Sequence, residues 1–127
     1  MNVVELLREL SEASGVSGYE DEVRAVTRAA FESYADAIHT DALGNLIALR
    51  EGTRPEEAQR RSIMLAAHSD EIGLMVTGFD QGFLRFTRVG GVDLRTIVGQ
   101  EVTVHGRRPL TGIVASRPPH VVPAEER

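Results

Sequence analysis

Ser62-Ile63-Met64-Leu65-Ala66-Ala67-His68-Ser69-Asp70-Glu71-Ile72-Gly73 joins an unbroken apolar run to a polar cluster closed by glycine. A run without alternation suits a strand covered on both faces, as in the middle of an α/β sheet. Extended residues two apart share a face, so His68 and Asp70 point the same way. They also fall at the C-terminal end of that strand, where open α/β sheets place ligands. A neutral imidazole is a good ligand for zinc or cobalt. A carboxylate beside it can hold the ring and raise its basicity. Taken alone, His-x-Asp is a weak motif, and a strand-end histidine is more commonly a hydrogen-bonded structural residue.

Upstream the period is helical. Val3, Val4, Leu6, Leu7 and Leu10 share one face of a first helix. Ser14-Gly15-Val16-Ser17-Gly18 then interrupts it. Ser17 stands three residues before Glu20, the spacing of a capping box. A second helix is predicted to about Tyr34, with Val23, Val26, Ala30 and Phe31 on one stripe and acids in its first turn. Ile38-His39-Thr40 and Leu46-Ile47-Ala48-Leu49 read as strands joined through the turn-forming segment Asp41-Ala42-Leu43-Gly44-Asn45. Glu51 to Arg61, with Gly, Pro and six charged residues, reads as a solvated loop.

Downstream of Asp70 no helical period appears before residue 122. Leu74-Met75-Val76 and Phe83-Leu84-Arg85-Phe86 flank Asp80-Gln81-Gly82, a hairpin signal. Val98 to His105 and Thr111 to Ala115 read as further strands, and the whole suggests a small barrel or sandwich. The boundary expected from this change lies near Glu71-Ile72-Gly73, dividing residues 1–71 from residues 72–127. Pro123 followed by acids suits either a helix start or a frayed tail.

Composition narrows the function. The chain has 127 residues, 42% hydrophobic and 26% charged, enough to bury a core. A net charge of −5 argues against an electrostatic grip on nucleic acid or anionic lipid. The absence of Cys excludes disulfides, thiolate metal sites and thiol nucleophiles. Glu5, Arg8 and Glu9 break the apolar stretch a signal peptide needs, and no run is long enough for a membrane span. The expectation is a soluble cytoplasmic protein with neither nucleic-acid nor membrane partners.

Nucleophilic and phosphate-binding motifs are missing. There is no Gly-x-Ser-x-Gly elbow, and Val89-Gly90-Gly91-Val92-Asp93 lacks both the Lys and the spacing of a phosphate loop. A catalytic zinc takes about three protein ligands. In the sequence no acid stands at a convincing spacing from His39, His105 or His120, so if His68 does bind a metal, the remaining ligands are expected from outside these 127 residues.

The succession SGVSGYEDEVR, TDALGNLIA, MLAAHSDEIGLMV, GFLRFTRVGGVD, VGQEVTVHG and SRPPHVVPAEER resembles the tetrahedral aminopeptidases, the glutamyl and deblocking enzymes of which some were once labelled cellulases or endoglucanases. The resemblance runs in order from about Leu6 to Arg127. It implies an α/β catalytic domain, here its N-terminal part, followed by part of an inserted β-barrel-like domain. On the matching motif His68 would be a ligand of a metal pair and Asp70 the acid that steadies it. The family uses two divalent ions, zinc or cobalt, activates a bridging water with a Glu, and removes N-terminal residues from peptide substrates. It forms homo-oligomers, dimers built through the inserted domain that assemble into dodecamers. Members usually carry Met where this chain has Ser69, and their other ligands and catalytic Glu lie in a C-terminal half absent here. Glu71 is therefore not assigned as the base. The expectation is a truncated aminopeptidase, inactive alone; the alternative is a non-catalytic interaction module in which His68 is a relic.

Overall fold

The computed structural model describes residues 2–53 and 61–117. The core of the predicted 51–61 loop, the helix start at Pro123 and His120 lie outside the described residues. Helix α1 runs Val3–Glu12. It starts where the Asn2 side chain accepts the Val4 N–H at 3.1 Å, satisfying one of the amides that a helix N-terminus leaves free. Helix α2 runs Asp21–Phe31 and carries Asp21 and Glu22 in its first turn, where the helix dipole favours acids. It ends one turn short of the predicted Tyr34. The backbone there tightens, with Tyr34 N–H donating to Phe31 O at 2.8 Å and Ala35 N–H to the same oxygen at 2.9 Å. Val23 is the buried member of the predicted stripe, while Phe31 is 41% exposed.

The capping box is a correction. Glu20 is the N-cap of α2 and makes no side-chain cap bond. Its Oε1 instead accepts from Gly18 N–H at 2.7 Å, and the Ser17 hydroxyl turns elsewhere.

Strands β1 (Ala37–Thr40) and β2 (Leu46–Leu49) pair antiparallel, with His39 opposite Ile47. Asp41 organises their turn. Its Oδ1 accepts from Leu43 N–H and Asn45 N–H, both at 2.9 Å, and its Oδ2 from Asn45 Nδ2 at 2.8 Å. These bonds, Asn45 foremost, lower the Asp41 pKa from its ordinary 3.8. Arg24 reaches from α2 to Gly44 O at 2.9 Å and also pairs with Asp21, so helix and hairpin are tied through one guanidinium.

Strands β3 (Gly73–Asp80) and β4 (Phe83–Val89) form the predicted hairpin. Gln81 and Gly82 both have positive φ, 48° and 88°, the signature of the tight turn whose twist matches that of its strands. The ladder shifts register between Val76 and Gly78, a bulge that no sequence pattern announced. Strands β5 (Glu101–Val104) and β6 (Leu110–Ile113) form a third hairpin. Contacts divide the chain into two compact units, Met1–Gly90 and Gly91–Arg127. The first centres on Ala13 and Val23, the second on Val92 and Val114, all buried.

The apolar run of residues 62–67 departs from expectation. It joins no ladder, and Ile63, Met64 and Leu65 are 86, 89 and 92% exposed. A doubly covered strand depends on neighbours that are remote in sequence. Among the described residues no strand pairs with this run, so its composition is that of a sheet interior without the sheet. No helix among the described residues is long and apolar enough to cross a membrane.

Candidate functional site

The site is built where the α1–α2 loop meets the segment that leads into β3. Val16 and Glu71 form an isolated parallel bridge. Glu71 N–H donates to Gly15 O at 2.7 Å, and its carboxylate Oε1 accepts from Gly15 N–H at 3.2 Å. Both contact points leave no free space for a side chain unless a neighbour moves. A Cβ on Gly15 would stand 2.9 Å from Val23 Cγ1, and one on Gly73 would stand 2.4 Å from Val16 Cγ2.

This bridge sets Asp70 beside both Ser17 and His68. The Ser17 hydroxyl donates to Asp70 Oδ2 at 2.5 Å, and His68 Nδ1 lies 3.1 Å from Asp70 Oδ1. The same Nδ1 is 3.1 Å from the Asp70 carbonyl oxygen. Both oxygens can only accept while the carboxyl is ionised, so this geometry suits a ring that donates from Nδ1 and, when neutral, keeps its lone pair on Nε2. The Ser17 hydrogen bond foremost, and His68 after it, lower the Asp70 pKa from 3.8 despite partial desolvation. His68 itself projects, its side chain 86% exposed, while Asp70 is 40% exposed.

The two residues singled out by the His-x-Asp spacing are thus in contact. A divalent ion such as zinc or cobalt suits this arrangement, because an imidazole braced at Nδ1 by a carboxylate offers Nε2 as a ligand. The fit covers one ligand and its support. Among the described residues no group of three or more His, Asp or Glu side chains could hold a metal ion. His39 lies on β1 and His105 directly follows β5. Glu71 is occupied by the Gly15 amide, consistent with leaving it out of the acid–base assignment. Ser17 is the participant that sequence spacing missed. It stands 53 residues from Asp70, and its local relation to Glu20 pointed to another role.

Comparison with known proteins bears on this arrangement. Residues 44–127 match the family described as M42 glutamyl aminopeptidase, and residues 3–26 match one described as AMPT. The chain is 38% identical over 122 residues to a lysyl aminopeptidase of Pyrococcus furiosus, covering 92% of this chain and 33% of that protein. Among solved structures it resembles a TET aminopeptidase from a marine-sediment thaumarchaeon, with TM-score 0.83 and 37% identity over 97% of this chain and 34% of that one. It also resembles a Thermotoga maritima protein described as an endoglucanase, with TM-score 0.75 and 38% identity over 89% of this chain and 34% of that one. The chain spans about a third of the length of the relatives it matches. With the helix–hairpin opening, the paired His68 and Asp70 and a match across most of its residues, the chain belongs to the M42 glutamyl aminopeptidase family.

Proposed function

We propose that this chain is the His68-bearing portion of a metal-dependent aminopeptidase that hydrolyses N-terminal residues of peptides at a two-metal site. The observation that supports the reading is the contact of His68 Nδ1 with Asp70, which suits a ring that donates from Nδ1 and offers Nε2 as a ligand. His68 would hold one of the two ions and Asp70 would orient the ring. A zinc or cobalt pair, when bound, polarises a carbonyl and lowers the pKa of water. The chain's own contribution is to present Nε2 in a fixed direction and to keep Glu71 engaged with Gly15 rather than with the reaction. The remaining ligands and the general base would come from residues outside this sequence, in keeping with the third of its relatives that it spans. Residues 1–71 would belong to the catalytic α/β domain and residues 72–127 to an inserted β-rich domain through which copies associate. The setting would be the cytoplasm.

A second reading, an interaction module without catalysis, is favoured by the exposed Ile63-Met64-Leu65 run. Exposed contiguous apolar surface marks contact with another chain. Metal content by mass spectrometry, aminoacyl-nitroanilide hydrolysis and size by light scattering separate the two. On the first reading the 13.9 kDa chain shows no turnover and no stoichiometric metal. A longer protein containing it carries about two metals per chain and loses activity in His68→Ala. Robust turnover by the 127-residue chain would overturn the claim that the other ligands lie outside it. A monomer that captures no partner counts against the module.

A further inference from the structure

We infer that Ser17 is a positioning residue for His68, acting through Asp70. This rests on the reading of His68 as a metal ligand. The two oxygens of the Asp70 carboxylate have separate donors: Oδ2 takes the Ser17 hydroxyl and Oδ1 faces His68 Nδ1. Asp70 is part-exposed, so without Ser17 water competes for both oxygens and the carboxylate is free to swing away from the ring. With Ser17 in place the carboxylate plane is fixed, and the imidazole that hydrogen-bonds to it inherits that orientation.

Ser17 is itself on a firm seat. The loop carrying it is bonded to the strand-end segment through both backbone and carboxylate of Glu71, at 2.7 and 3.2 Å. Its own turn is closed by Tyr19 N–H to Val16 O at 2.7 Å and by Gly18 N–H to Glu20 Oε1 at 2.7 Å. Gly15 lies against Val23, the buried residue of α2, so the loop is anchored to the helix as well. A hydroxyl delivered this way is a fixed donor, and a fixed donor on a carboxylate is what keeps a ligating histidine in one tautomer and one plane.

The test compares wild type, Ser17→Ala and Ser17→Thr in the whole protein that carries this chain, with far-UV circular dichroism as the check on folding. The first readout is the ring-nitrogen NMR signature of His68 in metal-free protein, identified by its loss in His68→Gln. The second is zinc affinity, from competition with a chromogenic chelator. Wild type and Ser17→Thr are expected to hold the Nδ1–H tautomer. Ser17→Ala leaves the Asp70 carbonyl as the fixed acceptor for Nδ1, so the ring shifts part of the way toward Nε2–H and zinc binding weakens about tenfold, the lower end of what loss of such support costs. An unchanged tautomer and affinity in Ser17→Ala overturns the inference, as does a loss that Ser17→Thr fails to restore. Wild-type protein that binds no zinc overturns the metal-ligand reading instead, and the tautomer comparison still decides whether Ser17 governs the ring.

Discussion

Replacing Gly73 by alanine tests how tightly the α1–α2 loop is seated on the start of β3. Gly73 opens that strand opposite Val89 and does not have positive φ, so alanine can adopt its backbone conformation. On backbone grounds alone the change would stabilise by about 0.4–1 kcal/mol, by restricting the unfolded chain. The opposing effect is steric. The new Cβ would stand 2.4 Å from Val16 Cγ2, a separation real side chains do not tolerate. Forcing such an overlap costs about 1–3 kcal/mol, so Gly73→Ala is expected to destabilise by about 1–2 kcal/mol after the entropic gain. Val16→Ala removes both γ carbons and leaves Val16 Cβ 3.5 Å from the introduced methyl, an ordinary contact. In that background Gly73→Ala should be neutral or slightly stabilising. Urea melts of the four proteins close the cycle, followed by circular dichroism because the chain has no Trp. An equal loss from Gly73→Ala in both backgrounds would show that Val16 is not what the glycine accommodates.

Two further outcomes follow from features at a distance from that contact. The folded-state pKa of Asp41 lies below its ordinary 3.8, so its stabilisation is complete well above pH 3.8 and is lost as pH falls through the folded value. A carbon-13 titration of the Asp41 carboxyl should therefore have its midpoint under 3.8, and the Asn45→Ala variant should move it upward. Met64→Lys should change stability of the chain by no more than about 0.5 kcal/mol, as surface substitutions do. It should also reduce self-association seen by light scattering, and a loss above about 2 kcal/mol would mean that the run is buried after all.

What could be read in advance was whatever local chemistry determines. The two helices followed from apolar spacing and first-turn acids. Two of the hairpins followed from the turn segments Asp41 to Asn45 and Asp80 to Gly82, while β5 and β6 were legible as strands but not as partners of each other. The His68–Asp70 contact was legible because a spacing of two in extended chain places side chains together. Longer-range choices were not. Residues 62–67 have the composition of a buried strand, but composition cannot supply the neighbours that would make a ladder. Ser17 had two partners open to its hydroxyl, Glu20 three residues away and Asp70 far along the chain, and only the Gly15–Glu71 bridge settles between them. The bulge beside Thr77 likewise depends on how two strands meet, which neither strand's pattern encodes.

The bridge that joins Gly15 to Glu71 spans 56 residues of sequence, whereas each hairpin closes over a few. Hairpins of this kind form in about 1–10 microseconds, but a contact across so long a stretch must first meet the entropy of closing the loop. On loop-closure entropy alone, the local pieces are expected to form before His68 and Asp70 acquire their brace. The same asymmetry runs in reverse. Opening the bridge frees a long segment at the cost of a few hydrogen bonds and the packing of Val16 on Gly73, and the integrity of the site is a property of that loop closure rather than of any single strand or helix.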